Sequence, residues 1–441
     1  MKRQASTSDI SPTCAGDDAP TARSGALPRV AVPAAAVMLA LQLAALGAWA
    51  LSWLTSDAEP LGASGHGMPP LGHDLRVFWT VSWITRHLGP LAAFDPTTLF
   101  PELLRFFPAY PDAGHWLYPP PFQWGIQPLS WLSYPAAYAV YVVVSLAAYV
   151  AAVRIWRGQS GWPWLVALAF PGLWIALLAG QNSLVTLLLM CVALTYGGSR
   201  PSLAGLCGGL LVIKPQLALL LPLWWICAGQ WRALATMVVV GAVACGLSMA
   251  WAGWPLWRAF FLAVARFNTE VVQQGAGGIW HAMPTVFAMA RLHGVGLSGA
   301  YVLYAVIALP SVLFTAWLWT TPAPPALRVA AATTATLLAQ PYLLYYELAW
   351  LVVPLMGLTG LPEWAGAGGT PMARSRRAML HGASTALAWL VWIVPLQAYL
   401  AALWPPMGQW GVVLLPLTML WIVYRALRWW RAHNGTHCPR T

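Results

Sequence analysis

The stretch 30–53, VAVPAAAVMLALQLAALGAWALSW, carries no charged residue from end to end. Wound as a helix at about 1.5 Å per residue, it covers the roughly 30 Å of a bilayer's hydrocarbon core. It reads as a first transmembrane helix. Further apolar runs follow near 134–155, 162–178, 183–197, 203–214, 216–229, 233–252, 301–319, 327–345, 347–361, 379–399 and 409–427. They do not alternate apolar with polar positions, which argues for helices over a barrel. The composition agrees: of 441 residues 59% are hydrophobic and 8% charged, with a mean hydropathy of +0.64. A soluble domain has about a quarter of its residues charged. With lipid as solvent, every backbone polar group must be satisfied internally, so the expected fold is an all-α integral membrane bundle. The runs predict about twelve spans, with 10–12 compatible.

The net charge of +11 does not point to nucleic acid, because the basic residues fall in short clusters between apolar runs. There they orient helices by the positive-inside rule. If the N-terminus is inside and every run crosses, the inner side receives 16 of the 23 Lys and Arg residues. Both termini are then cytoplasmic. Residues 1–28, rich in Ser, Thr, Pro and Ala, read as a disordered cytoplasmic tail, 29–430 as the membrane domain and 431–441 as a second cytoplasmic tail. The polar segments 55–121 and 253–300 fall outside. The first predicts interfacial helices near 75–88 and 98–107 and a Pro-broken re-entrant or interfacial piece over 119–133. The runs flanking Lys214 are too short for simple crossings and suggest broken helices lining a cavity. The six cysteines show neither paired nor metal-ligand spacing, and four lie inside apolar runs as small hydrophobes.

Polar side chains worth singling out converge on the outer face. Asp74, in GHDLRVFWTVSW, is a carboxylate among apolar and aromatic neighbours, a setting that raises a pKa and suits a general base. It equally fits an N-cap for a helix beginning at Leu75, and the two roles are compatible. Lys214, in GGLLVIKPQLALLLPLWW, is a cation in an apolar stretch and suits a phosphate partner; the alternative is a lysine snorkelling to the interface. Gln181 and Asn182, in LLAGQNSLVTLL, offer amides that read sugar hydroxyls, or form a plain polar turn. Tyr118 opens the rigid elbow Tyr118-Pro119-Pro120-Pro121, chiefly a structural device. His281, in GGIWHAMPTVF near Arg266, Asn268 and Glu270, is either a cavity residue or a solvated one. Glu347, in AQPYLLYYELAW, is expected to pair with Lys214 or an arginine.

No Walker A loop, strand-led GxGxxG, GxSxG elbow or metal-ligand cluster is present, so neither a nucleotide domain nor a metal or other cofactor is expected. The set Asp74, WLYPPPF, GQNS, IKPQ and QPYLLYYEL, in this order, resembles glycosyltransferase family 87, over roughly residues 30–430. The resemblance implies a GT-C-like helical membrane glycosyltransferase of the inner (plasma) membrane with an extracytoplasmic site. It implies a polyprenyl-phosphate sugar donor, often mannose, and a glycolipid or glycan acceptor. Asp74 matches the family's catalytic base, Lys214-Pro215 its KP segment, Gln181 its GQ and Tyr118-Pro119-Pro120 its YPP.

Family pattern and residues meet on one expected mechanism. Asp74 deprotonates an acceptor hydroxyl, which displaces the lipid phosphate in a single inverting step. Lys214 with Arg76, Arg266 or Arg291 stabilises the phosphate charge. Tyr118, Gln181, Asn182, His281 and Glu347 bind substrate. The alternative is a transporter or flippase of a lipid-linked sugar, a class favoured by internal repeats, and no convincing repeat relates the two halves.

Overall fold

The computed structural model describes residues 31–55, 72–108, 114–361 and 371–434. Among them every regular element is helical. The tail expected over 1–28 lies outside the described residues, and of the tail expected over 431–441 only the first residues are described, as the end of a helix. The chain is an all-α integral membrane protein. Six helices are long and apolar enough to cross a bilayer: Ala31–Ala48, Tyr134–Arg157, Trp231–Gln273, Leu297–Thr320, Ala378–Leu403 and Pro405–His433. The other apolar runs, which brought the sequence count to about twelve, form shorter helices. Prolines 171, 201, 215 and 222 stand at or near the starts of four such pieces. A proline breaks the helical ladder behind it and biases the residue before it towards extended backbone.

After α1 (Ala31–Thr55) come α2 (His73–His87) and α3 (Pro96–Phe106), where helices were expected near 75–88 and 98–107. Asp95 starts α3 by accepting a hydrogen bond from the Thr97 amide at 2.9 Å. Leu75, Phe78, Val81 and Ile84 of α2 pack with Leu99 and Leu103 of α3, and with Phe107, Trp116 and Tyr134, as a core of their own. The Pro-broken piece is α4 (Pro120–Gly125) followed by a 3-10 turn, Gln127–Trp131.

The long α5 (Tyr134–Ser160) leads into α6 (Trp164–Leu168), α7 (Pro171–Ala179), α8 (Ser183–Tyr196), α9 (Pro201–Leu210), α10 (Pro215–Ala218) and α11 (Leu221–Cys227). Next, α12 (Trp231–Phe267) runs well into the polar segment expected over 253–300. Gly253, at φ 72° and ψ 179°, is not helical and divides this stretch into two helices that meet at a kink. The segment is thus largely helical, continuing through a π-turn (Asn268–Gln273), a 3-10 turn (Ala276–Ala282) and α13 (Val286–Leu292).

On α14 (Leu297–Thr320), Val302, Val306, Leu309 and Leu313 form an exposed apolar stripe, while Ala300, Ala308, Ser311, Thr315 and Leu318 face inward. Large apolar groups meet lipid and small ones meet protein, as membrane helices require. Their neighbour α15 (Pro325–Leu338), PALRVAAATTATLL, is buried on nearly all sides. Its Ala and Thr side chains allow close backbone approach. The 3-10 turn Tyr345–Leu351, α16 (Val352–Thr359), α17 (Pro371–Leu403) and α18 (Gly411–Asn434) complete the bundle.

Candidate functional site

Two backbones touching at glycines set the position of Asp74. Gly72 and Gly180 both take left-handed backbone, at φ 72° and 74°. A Cβ added to Gly180 would lie 2.7 Å from the Gly72 Cα. The Gly72 amide donates to the Leu178 carbonyl at 2.8 Å, and the Tyr134 hydroxyl donates to the Gly72 carbonyl at 3.0 Å. The first turn of α2 is thereby locked to the last turn of α7. Asp74 does not cap its helix: Gly72 occupies that position, and the carboxylate turns elsewhere. Gln181 Nε2 donates to Asp74 Oδ2 at 2.7 Å, and His73 Nδ1 lies 3.2 Å from Asp74 Oδ1.

Beneath lies Lys214, at the break between α9 and α10. Preceding Pro215, it adopts φ −145° and ψ 69°, which no helix continues. Its ammonium donates to Gln181 Oε1 at 3.3 Å, to Asn182 Oδ1 at 3.2 Å and to the Glu347 carboxylate. A lysine has three protons to give, and here all three meet acceptors. Because both amide oxygens face the ammonium, both NH2 groups point away from it: that of Gln181 reaches Asp74, and that of Asn182 has no partner among the described residues. Lys214 is a buried ion-pair partner, not a snorkelling residue.

Glu347 comes from the turn Tyr345–Leu351, which is seated by the Trp350 indole donating to the Ser183 carbonyl at 3.2 Å. Its second oxygen, Oε2, is buried without a partner among the described residues. Tyr118 donates to Gln181 Oε1 at 2.8 Å, and Gln181 Nε2 also lies 3.3 Å from the Tyr346 hydroxyl. The rings of Tyr118 and Tyr346 flank the Lys214 ammonium at 5.9 and 5.3 Å. The Gln340 amide ties this late segment to the Gln216 carbonyl at 3.2 Å.

Asp74 departs from the raised pKa expected of it. Burial does push its carboxyl up. The hydrogen bond from His73, the charge that ring carries when protonated, the Gln181 amide and the Lys214 ammonium together outweigh burial and hold it below the ordinary carboxylate value. The Asp74 side chain remains 24% exposed. Burial, reinforced by Asp74 and Glu347, pushes the Tyr118 phenol well above its usual range, so it stays a donor. The group as a whole offers a partly exposed carboxylate, backed by a buried ion pair and by oriented amides.

The family model Glycosyltransferase family 87 matches residues 116–341, just over half of the chain. The chain belongs to glycosyltransferase family 87. No curated protein and no solved structure matches it. In this glycosyltransferase the matched segment contains Tyr118, Gln181, Asn182 and Lys214, while Asp74 and Glu347 flank it on either side.

Five of the residues singled out from the glycosyltransferase's sequence therefore join Asp74 in one network: Tyr118, Gln181, Asn182, Lys214 and Glu347. The others are placed differently. Arg76 is fully buried, and its guanidinium turns back onto His73. Arg266 is exposed on the last turn of α12, beside Phe267, whose ring meets those of Tyr342 and His115, each at 5.2 Å. His281 is half-buried, and its carbonyl accepts from Gln409 at 2.5 Å. Arg291 donates to the Val295 and Gln273 carbonyls.

Sequence reasoning passed over His73 and Tyr346. The first stands directly before the acid, and the second lies in the YLLYYEL run, where a tyrosine beside a carboxylate was a usable signal.

Proposed function

We propose that this membrane glycosyltransferase moves a hexosyl group, mannosyl in the first instance, from a polyprenyl-phosphate donor to a glycolipid or glycan acceptor at the extracytoplasmic face of the plasma (inner) membrane. One observation carries the reading: the ionised, partly exposed Asp74 carboxylate, held by Gln181 over the buried Lys214–Glu347 pair. Asp74 takes the proton of an acceptor hydroxyl. That oxygen bonds to the anomeric carbon as the bond from this carbon to the phosphate oxygen breaks, its electron pair leaving on the lipid phosphate. A single displacement inverts the configuration.

Charge building on the phosphate is met by Lys214. Since the three protons of Lys214 are engaged, a phosphate takes one by displacing an amide oxygen. The unpartnered Asn182 Nδ2 and Glu347 Oε2 suit a sugar hydroxyl, which accepts from the first and donates to the second.

Membranes containing the protein are to be incubated with a panel of radiolabelled polyprenyl-phosphate sugars. We expect one label to move to a lipid or glycan acceptor, and Asp74→Asn, still folded and still binding that donor, to lose transfer by about 10²–10⁴-fold. Full transfer by Asp74→Asn sinks the proposed base. No transfer from any donor favours a transporter.

A further inference from the structure

Arginine can only donate hydrogen bonds. The 3.3 Å contact from Arg76 Nη2 to His73 Nε2 therefore makes that nitrogen the acceptor. In the neutral ring the proton then sits on Nδ1, the nitrogen 3.2 Å from Asp74 Oδ1. Arg76 Nε also donates to the His73 carbonyl at 3.1 Å, which fixes the guanidinium against the first turn of α2. The line guanidinium, imidazole, carboxylate runs from a fully buried arginine to side chains that are 37% and 24% exposed at His73 and Asp74.

We infer that His73 is a positioning residue for the proposed base: Arg76 sets its Nδ1–H tautomer, and that N–H holds one oxygen of Asp74 while Gln181 holds the other. The inference rests on Asp74 being the base. With both oxygens tethered, the carboxylate plane is fixed and its remaining lone pairs are left for the acceptor hydroxyl. Fixing a reacting group in this way lowers the barrier without touching substrate.

The other groups facing Asp74 are set by different elements. Lys214, paired with Glu347, comes from the break before α10. The phenols are Tyr134 and Tyr141 of α5, Tyr118 before α4, and Tyr342, Tyr345 and Tyr346 of the late segment. None of these is altered by a change at His73, so a shift in pH dependence there reports on the His73–Asp74 contact.

The test uses full-length protein and whichever labelled polyprenyl-phosphate sugar the wild type transfers. His73→Phe should lower kcat about 10–100-fold with KM for the donor within about twofold. The acid limb of its kcat/KM profile should move up by about one pH unit, because the carboxylate loses a donor. His73→Asn, which can still donate to Asp74, should restore most of both. A His73→Phe profile like the wild type's, or a loss of kcat with an unmoved limb and no rescue by His73→Asn, overturns the inference while leaving Asp74 as base. Activity in Asp74→Asn overturns both. Independently of turnover, the ¹⁵N-histidine resonances that vanish in His73→Phe should carry the Nδ1–H signature; an Nε2–H signature refutes the assignment.

Discussion

The ammonium of Lys214 and the carboxylate of Glu347 form a buried ion pair across 133 residues of chain. It fastens the break before α10 to the turn after α15. Two charges taken out of water are tolerable only together, since either one alone is left unpaired in a low-dielectric interior.

Glu347→Ala and Lys214→Met should therefore each cost about 3–5 kcal/mol of stability. The double replacement Lys214→Met with Glu347→Leu should cost well under the sum, because it leaves no orphan charge. Unfolding of the purified variants in detergent gives the coupling energy; simple additivity would argue that the pair is not coupled in the folded protein.

A second expectation concerns pH. Asp74 is held below the ordinary carboxylate value of 3.8. A group whose folded pKa is depressed contributes stability above its unfolded pKa and loses it as pH falls through the folded one. The acid limb of kcat/KM should accordingly lie below pH 3.8, with transfer flat from there to neutrality on the acidic side. A limb near pH 6 would mean that burial wins over His73, Gln181 and Lys214.

Gln181→Glu tests the same balance from the other side. It removes the amide that donates to Asp74 and sets a carboxyl in its place. A like charge disfavours ionisation of its neighbour, so the acid limb should rise by about one pH unit or more, with kcat reduced even on the plateau. An unmoved limb would show that Gln181 does not govern the titration of Asp74.

Gly180→Ala addresses the backbone contact. The added methyl meets the Gly72 Cα and the Leu75 backbone within 2.8 Å, at a φ that side chains rarely adopt. We expect a stability loss of about 1–3 kcal/mol. Activity per folded molecule should fall at least about tenfold as Asp74 separates from Gln181. Comparing turnover with the folded fraction by size-exclusion chromatography separates the two effects.

Much of this molecule is legible in its sequence. Uncharged runs such as 30–53 specify membrane helices through composition alone, and Asp74, Gln181, Asn182, Lys214 and Glu347 are polar groups that stand out in apolar or boundary stretches. Their mutual bonding was less so. The contact between Asp74 and Gln181 joins residues 107 positions apart, a separation that periodicity does not encode. The expected pKa of Asp74 had the wrong direction because burial was visible in its neighbours, whereas the groups opposing it are the His73 side chain, Gln181 from the turn between α7 and α8, and the distant Lys214. The helix that follows Gly253 is hidden for a different reason: Trp, Gly and charged residues mark a polar segment, and the positive φ of Gly253 breaks the winding there and lets a second helix start at an angle to the first.

The contact of Gly72 with Gly180 has a consequence for how such an enzyme can diversify. An acid on the polar segment after α1, if held by side chains alone, would drift with every change in the chain around it. Here its register is set by main chain against main chain, at a point one residue away from Gln181 and two from Asp74. Side chains elsewhere on the two segments can then change while the distance between Asp74 and Gln181 is preserved.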